Sequence, residues 1–157
     1  MFTGKVVSIF ISPTKGAAMT EVDEVKAIEG VGLDGDRYAQ NAGTFSKKDA
    51  PTREVTLIES EAIEAAAISY GVELGLGESR RNIVTRGVPL NHLVGDRFQV
   101  GDVVLEGLKL CEPCSRLEKL TQQPVRKAFA HRGGLRARVV SGGSIRSGDE
   151  IRGVEAS

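Results

Sequence analysis

The 157-residue chain contains no tryptophan, 4% aromatic residues, two cysteines and two histidines. Neither sign of charge is in excess, since 21 Lys and Arg stand against 21 Asp and Glu. This balance gives no global electrostatic case for nucleic acid or an anionic membrane as a partner. No apolar run approaches the roughly 20 residues needed to span a bilayer. The N-terminus, MFTGKVVSIFIS, lacks the apolar core and small-residue cleavage site of a secretory signal. A cytoplasmic protein with reduced thiols is therefore expected. Also missing are a Walker A loop, a dinucleotide-binding glycine fingerprint and a Ser–His–Asp spacing. No linker divides the chain, so residues 1–157 are expected to form a single domain.

Glycine, by contrast, is frequent, with 19 residues and no low complexity. Many tight turns, and hence a β-rich chain, are expected from that. Short runs rich in Val and Ile bear this out: VVSIFI (6–11), EVKAI (24–28), EVTLI (54–58), RFQV (97–100), DVVLEGLKL (102–110), ARVV (137–140) and EIRGV (150–154). Gly-Asp dipeptides at Gly35-Asp36, Gly95-Asp96, Gly101-Asp102 and Gly148-Asp149 mark hairpins or bulges. VGDVVLEG and SGDEIRGV are read as two similar hairpin exits rather than a repeat. ESEAIEAAAISYG (59–71) reads as a helix, acidic in its first turn and stopped by Gly71. A second helix is expected from Ser115, where Ser115 and Glu118 fit a capping box, and a short third over 125–131. The fold class is thus mainly β, an antiparallel barrel-like domain with two or three peripheral helices.

Both cysteines fall in LKLCEPCSRLEKL (108–120), spaced as Cys111-Glu112-Pro113-Cys114. Ser115 as an N-cap would put Cys114 at a helix entrance, where partial positive charge favours the thiolate. Cys111, ending an apolar strand, reads as a small core residue. Zinc needs four ligands, and the other classical donors, His92 and His131, stand alone. A thioredoxin-like dithiol is disfavoured because no βαβ pattern surrounds the motif.

Arginines supply the remaining polar signals. In ESRRNIVTRGVPLNHL (78–93), Arg81 and Asn82 precede the apolar pair Ile83-Val84; an Arg fork and an amide suit a phosphate or pterin-like edge. The bland reading is solvated arginines on an exposed strand. GLDGDRYAQ (32–40) sets Asp36 and Arg37 after a glycine-framed turn, a pair expected to lock that loop. HRGGLRARVVSGG (131–143) joins Arg132, Arg136 and Arg138 to Gly133-Gly134, which either offers N–H groups to an anion or ends a helix and begins a strand.

Taken in order, GVGLDGDRYA (30–39), TREVTLIESEAI (52–63), RRNIVTRGVPLNHLVGDRFQVGDVVLEG (80–107), LCEPCSRLEKL (110–120) and HRGGLRARVVSGGSIRSGDEI (131–151) resemble the MOSC domain, in its short stand-alone bacterial form. The resemblance runs from about residue 4 to 151. It implies a barrel-like β fold and a characteristic cysteine, matching Cys114, that carries sulfur or ligates molybdenum. Arg81 and Asn82 match the family's cofactor-binding pair, and Arg132 and Gly133 are added to that set. Tyr38 stands where the family more often has His after Gly35-Asp36-Arg37. A form without the N-terminal β-barrel module of larger reductase members is therefore expected.

Three functions follow from the resemblance. In one, Cys114 carries sulfur as a persulfide received from a cysteine desulfurase, whose pyridoxal phosphate belongs to that partner. In another, the domain binds the molybdenum cofactor (molybdopterin) with Cys114 on the metal, and reduces N-hydroxylated or N-oxide compounds with electrons from a donor protein. The third is a cofactor-binding module without turnover.

Overall fold

The structure is a computed structural model and describes residues 2–14, 18–37, 39, 54–111, 124–130 and 132–154. Its strands are β1 (Thr3–Ile11), β2 (Thr20–Val22), β3 (Glu24–Ile28), β4 (Gly32–Leu33), β5 (Val55–Glu59), β6 (Ile83–Arg86), β7 (Arg97–Val100), β8 (Val103–Leu110), β9 (Leu135–Ser141), β10 (Gly143–Arg146) and β11 (Glu150–Gly153). Two α-helices, α1 (Ser60–Tyr70) and α2 (Val125–Ala128), and two 3-10 turns, Leu76–Ser79 and Leu90–Leu93, lie among them. Seven strands close a barrel in the order β1, β6, β5, β9, β8, β7, β11 and back to β1. β2 pairs with β1 outside the ring, and β10, β3 and β4 form a separate small sheet. The mainly β, barrel-like architecture expected from the turn-rich sequence is the one observed.

One pairing departs from the antiparallel expectation: β5 and β6 run parallel, with Leu57 beside Ile83 and Glu59 beside Thr85. A parallel neighbour requires a crossover, and the chain makes it through α1 and the Leu76–Ser79 turn. Residue patterning reports which face of a strand is buried but not its direction, so this reversal has no local signature.

α1 forms where the Ala-rich run predicts it. Gly71 ends it in the left-handed conformation (φ 65°), with its N–H directed to the carbonyls of Ala66 and Ala67. The helix expected over 125–131 is shorter: α2 stops at Ala128, and the Arg132 N–H turns back onto the Phe129 carbonyl at 2.8 Å. The helix expected from Ser115, along with Cys114 and His131, lies outside the described residues. In all four Gly-Asp dipeptides the glycine has positive φ.

Two apolar layers result. Inside the barrel, Val6, Ile9, Leu57, Ile83, Phe98, Leu105, Leu135 and Ile151 form a continuous core. Outside it, Phe10, Ile58 and Val84 meet Ile63 and Ala66 of α1 and Phe129. Ser8, Ile9 and Phe10 are all buried, Ile9 toward the barrel and Phe10 toward α1. That double coverage explains why VVSIFI lacks clean alternation. A register shift between Val6 and Ser8 bends β1 so that it pairs with β11, β6 and β2 in turn.

The Leu90–Leu93 turn approaches β8 at Gly107, whose N–H donates to the Asp96 carbonyl at 2.9 Å and whose own carbonyl accepts from Gly95 at 2.8 Å. A Cβ at Gly107 would run into the Leu93 carbonyl oxygen. Gly107→Ala is therefore expected to destabilise the fold by about 2–4 kcal/mol in urea unfolding.

Glu54, 7% exposed, accepts the Val139 N–H at 2.8 Å and so extends the β5–β9 ladder with a side chain. Burial raises its pKa above the ordinary 4.5, against the opposing effects of that hydrogen bond and of Arg138. The folded state then holds a proton at pH values where the unfolded chain has released it, so stability falls as pH rises through the interval above 4.5. Glu54→Gln keeps an acceptor for Val139 and is expected to flatten the urea-unfolding stability profile between about pH 4 and 7.

Candidate functional site

Asn82 leads into β6 and is fully buried. Its amide oxygen accepts the Thr56 N–H and hydroxyl, each at 3.1 Å. Its amide nitrogen donates to the Phe10 carbonyl at 3.1 Å and to Asp36 Oδ1 at 3.3 Å. Both donors and both lone-pair directions of the amide are thus used within the chain. Asp36 is equally buried; its Oδ1 accepts the Ser12 N–H at 3.0 Å and stands 3.4 Å from Arg37 Nη1. The Asp–Arg pair expected to lock the 35–37 turn is formed, and it is locked inward, onto Asn82.

Arg81 adopts a different task from its neighbour. Its Nε donates to the Gly133 carbonyl at 2.8 Å, bringing together two residues that sequence reading places in one site. Gly134, at φ +114°, brings its Cα so close to the Leu57 carbonyl that a Cβ would collide with that oxygen. The Gly134 carbonyl in turn accepts the Cys111 N–H at 2.7 Å. Gly133-Gly134 therefore begins a strand, held between β5 and the end of β8. Arg80, at φ 61°, is left-handed, so the extended alternation that separates Arg80 from Arg81 does not reach back to it.

Arg132 meets the carboxylate of Glu59 at 3.8 Å. Glu59 ends β5 and is the N-cap residue of α1, yet its side chain makes no capping bond. Burial raises its pKa, offset chiefly by the Arg132 guanidinium. His92 is exposed on the Leu90–Leu93 turn, and Cys111 is 1% exposed at the end of β8. No group of three or more His, Cys, Asp or Glu able to hold a metal occurs among the described residues.

The outer wall of β8 and β9 shows two contrasting rows. In one, Arg138 faces Glu106, which accepts its Nε at 2.7 Å and lies 3.6 Å from Arg97. The hydrogen bond from Arg138 holds the Glu106 carboxyl below its ordinary pKa. In the other row, Arg136 is flanked by Thr56 on β5 and Lys109 on β8. Like charges on adjacent strands repel, and Arg136 Nε is shut off from solvent without a hydrogen-bond partner among the described residues. Thr56, Lys109 and Glu59 were not singled out by sequence reasoning, because only strand register makes them neighbours of the arginines.

The profile of the MOSC domain family matches residues 44–152, more than half of the chain, and the chain belongs to that family. The family is associated with the molybdenum cofactor, which makes this a molybdenum-cofactor-related domain protein. No curated protein sequence matches the chain. Among solved structures, it is similar to the YuaD protein from Bacillus subtilis, with a TM-score of 0.80 at 22% identity over 99% of this chain and 100% of that one. YiiM from Geobacillus stearothermophilus aligns with a TM-score of 0.74 at 22% identity, covering 97% of this chain and 75% of that one. YiiM from Escherichia coli aligns with a TM-score of 0.68 at 17% identity, covering 100% and 71%. At these identities the likeness concerns the fold alone. No helix among the described residues is long and apolar enough to cross a membrane.

The buried amide can be tested directly. Asn82→Asp would set a second carboxylate against Asp36 and the Phe10 carbonyl. A loss of about 3 kcal/mol is expected in urea unfolding at neutral pH, partly recovered in acid as the pair takes up a proton.

Proposed function

We propose that residues 1–157 form one MOSC domain that binds the anionic pterin of the molybdenum cofactor against the wall where β9 begins, with Cys114 as the working thiol. The observation that carries this reading is Arg136, whose Nε is buried and unpartnered among the described residues beside Lys109. A cationic pair with no carboxylate opposite it among the described residues suits a phosphate. The residues present therefore fit the anionic part of the cofactor. Arg81 steadies the Gly133 carbonyl and so shapes the approach to β9. Asn82 orients the entry to β6 from within, and Arg132 supplies a further guanidinium near Gly133. Cys114 follows Cys111 by three residues, a reach of at most about 11 Å. Cys111 is itself tied to Gly134. A metal here would draw on the Cys114 thiolate. When bound, the cofactor supplies the two-electron chemistry that reduces N-hydroxylated or N-oxide compounds, with electrons from a donor protein. A module without turnover would use the same binding residues.

A second reading, sulfur carriage, is favoured by the burial of Cys111. Here the Cys114 thiolate attacks the outer sulfur of a persulfide on a pyridoxal-phosphate-dependent cysteine desulfurase. The donor S–S bond breaks, the desulfurase thiolate leaves, and the new S–S bond on Cys114 holds the sulfur with no net oxidation. An accessible neighbouring thiol would attack that persulfide and release sulfide; a buried one spares it. The cytoplasm, where thiols stay reduced, suits either reading.

The two readings separate in one experiment on the purified protein and its Cys114→Ala, Cys111→Ala and Arg136→Ala variants. Molybdenum and pterin content is measured alongside persulfide load after incubation with a cysteine desulfurase. Loss of metal in Cys114→Ala, and of pterin in Arg136→Ala, is expected for cofactor binding. Persulfide on wild type and Cys111→Ala, absent from Cys114→Ala and without metal in any of them, would instead establish the carrier. If all variants match wild type in both assays, neither role belongs to Cys114.

A further inference from the structure

We infer that Met19 is a site of reversible oxidation by hydroperoxides, and that Arg37 receives the oxygen which oxidation adds. Met19 is half-buried against the layer of Phe10, Ile58 and Val84, between exposed Ala18 and exposed Thr20. It stands where the β1–β2 pairing ends, since Thr20 pairs with Ile11 and Ser12 follows. Its sulfur accepts from Arg37 Nη1 at 3.6 Å. A thioether is a weak acceptor, and a buried charge needs good ones. Arg37 is 6% exposed, and the same Nη1 lies 3.4 Å from Asp36 Oδ1. One nitrogen of a buried guanidinium is thus divided between a long contact to a carboxylate and a weak one to sulfur. That division shifts when a better acceptor is placed on the sulfur.

A hydroperoxide supplies such an acceptor. A sulfur lone pair attacks the terminal peroxide oxygen, the O–O bond breaks and an S–O bond forms. The departing oxygen takes the proton of the transferred hydroxyl and leaves as water or an alcohol. Sulfur loses two electrons and the peroxide gains them, giving methionine sulfoxide. In an apolar layer a sulfoxide is ordinarily disruptive, because its oxygen has no partner. Here a guanidinium already lies against the sulfur, and a charge-assisted hydrogen bond is the stronger kind. Drawing Arg37 toward Met19 draws it from Asp36. Asp36 Oδ1 also accepts the Ser12 N–H at 3.0 Å and Asn82 Nδ2 at 3.3 Å. The change is therefore felt at the end of β1 and in the 35–37 turn, while α1 keeps its place.

The test treats the full chain with hydrogen peroxide, restores oxidised thiols with dithiothreitol, and maps added oxygen by mass spectrometry. Met1 and Met19 are the two methionines, so peptide mapping separates them. The expected result is one oxygen on the Met19 peptide, removed again by a methionine sulfoxide reductase. Hydrogen exchange at the Ser12 amide should become about tenfold faster in the oxidised protein, with the Ala66 amide of α1 unchanged. Met19→Gln, which puts an amide oxygen near the place of the sulfoxide oxygen, should speed Ser12 exchange without peroxide. Met19→Leu should make that exchange indifferent to peroxide, which also controls for oxidation elsewhere. Failure of Met19 to oxidise at doses that oxidise Met1 would reject the site. Equal acceleration at Ser12 and Ala66 would show general disruption of the apolar layer and overturn the transfer of Arg37, as would unchanged Ser12 exchange in the oxidised protein.

Discussion

The side-chain amide of Asn82 is the point on which the rest of this structure depends. It is held by Thr56 on β5, by the Phe10 carbonyl on β1 and by the buried Asp36 carboxylate. Those contacts join the strands on either side of β6 to a turn far away in sequence. A buried amide that makes all its hydrogen bonds adds specificity as well as stability, because any slip in register strands its donors. The parallel β5–β6 pair is pinned at this position by the Thr56–Asn82 hydrogen bonds.

From that anchor follows the character of the candidate site. Asn82 is occupied inward, so its neighbour Arg81 reaches outward across to Gly133, and Gly133-Gly134 opens β9 close against Leu57. Cys111 is then tied to Gly134, which fixes where the chain leaves the barrel on its way to Cys114. The arginines around the start of β9 are in unequal states. Arg138 is answered by Glu106 and Arg132 by Glu59, while Arg136 faces Lys109. The charge on each part of this wall is thus set by strand position rather than by net charge, which is zero.

Much of this was legible beforehand. The runs EVKAI and RFQV are β3 and β7 over the same residues, and Gly71 ends α1 where a glycine after an Ala-rich run should. Gly-Asp turns are readable because positive φ is a local demand. The short β2 and β4 were not, since two or three residues carry no period, and α2 proved shorter than VRKAFAH suggests. Arg81 and Gly133 were both visible as candidates, but their hydrogen bond spans 52 residues of sequence. Asn82 is visible in sequence as a polar residue before β6, but its bonds to Thr56, Phe10 and Asp36 link segments far apart in the chain and are not legible there.

The amino-acid order by itself determined the longer strands, the Gly-Asp turns and the family, because each of these is written in local periodicity, backbone preference or motif. Folding alone settled which charges face one another. Whether an arginine meets Glu106, Glu59 or Lys109 depends on strand register, and register is a property of the closed barrel, where every strand's position is constrained by all the others.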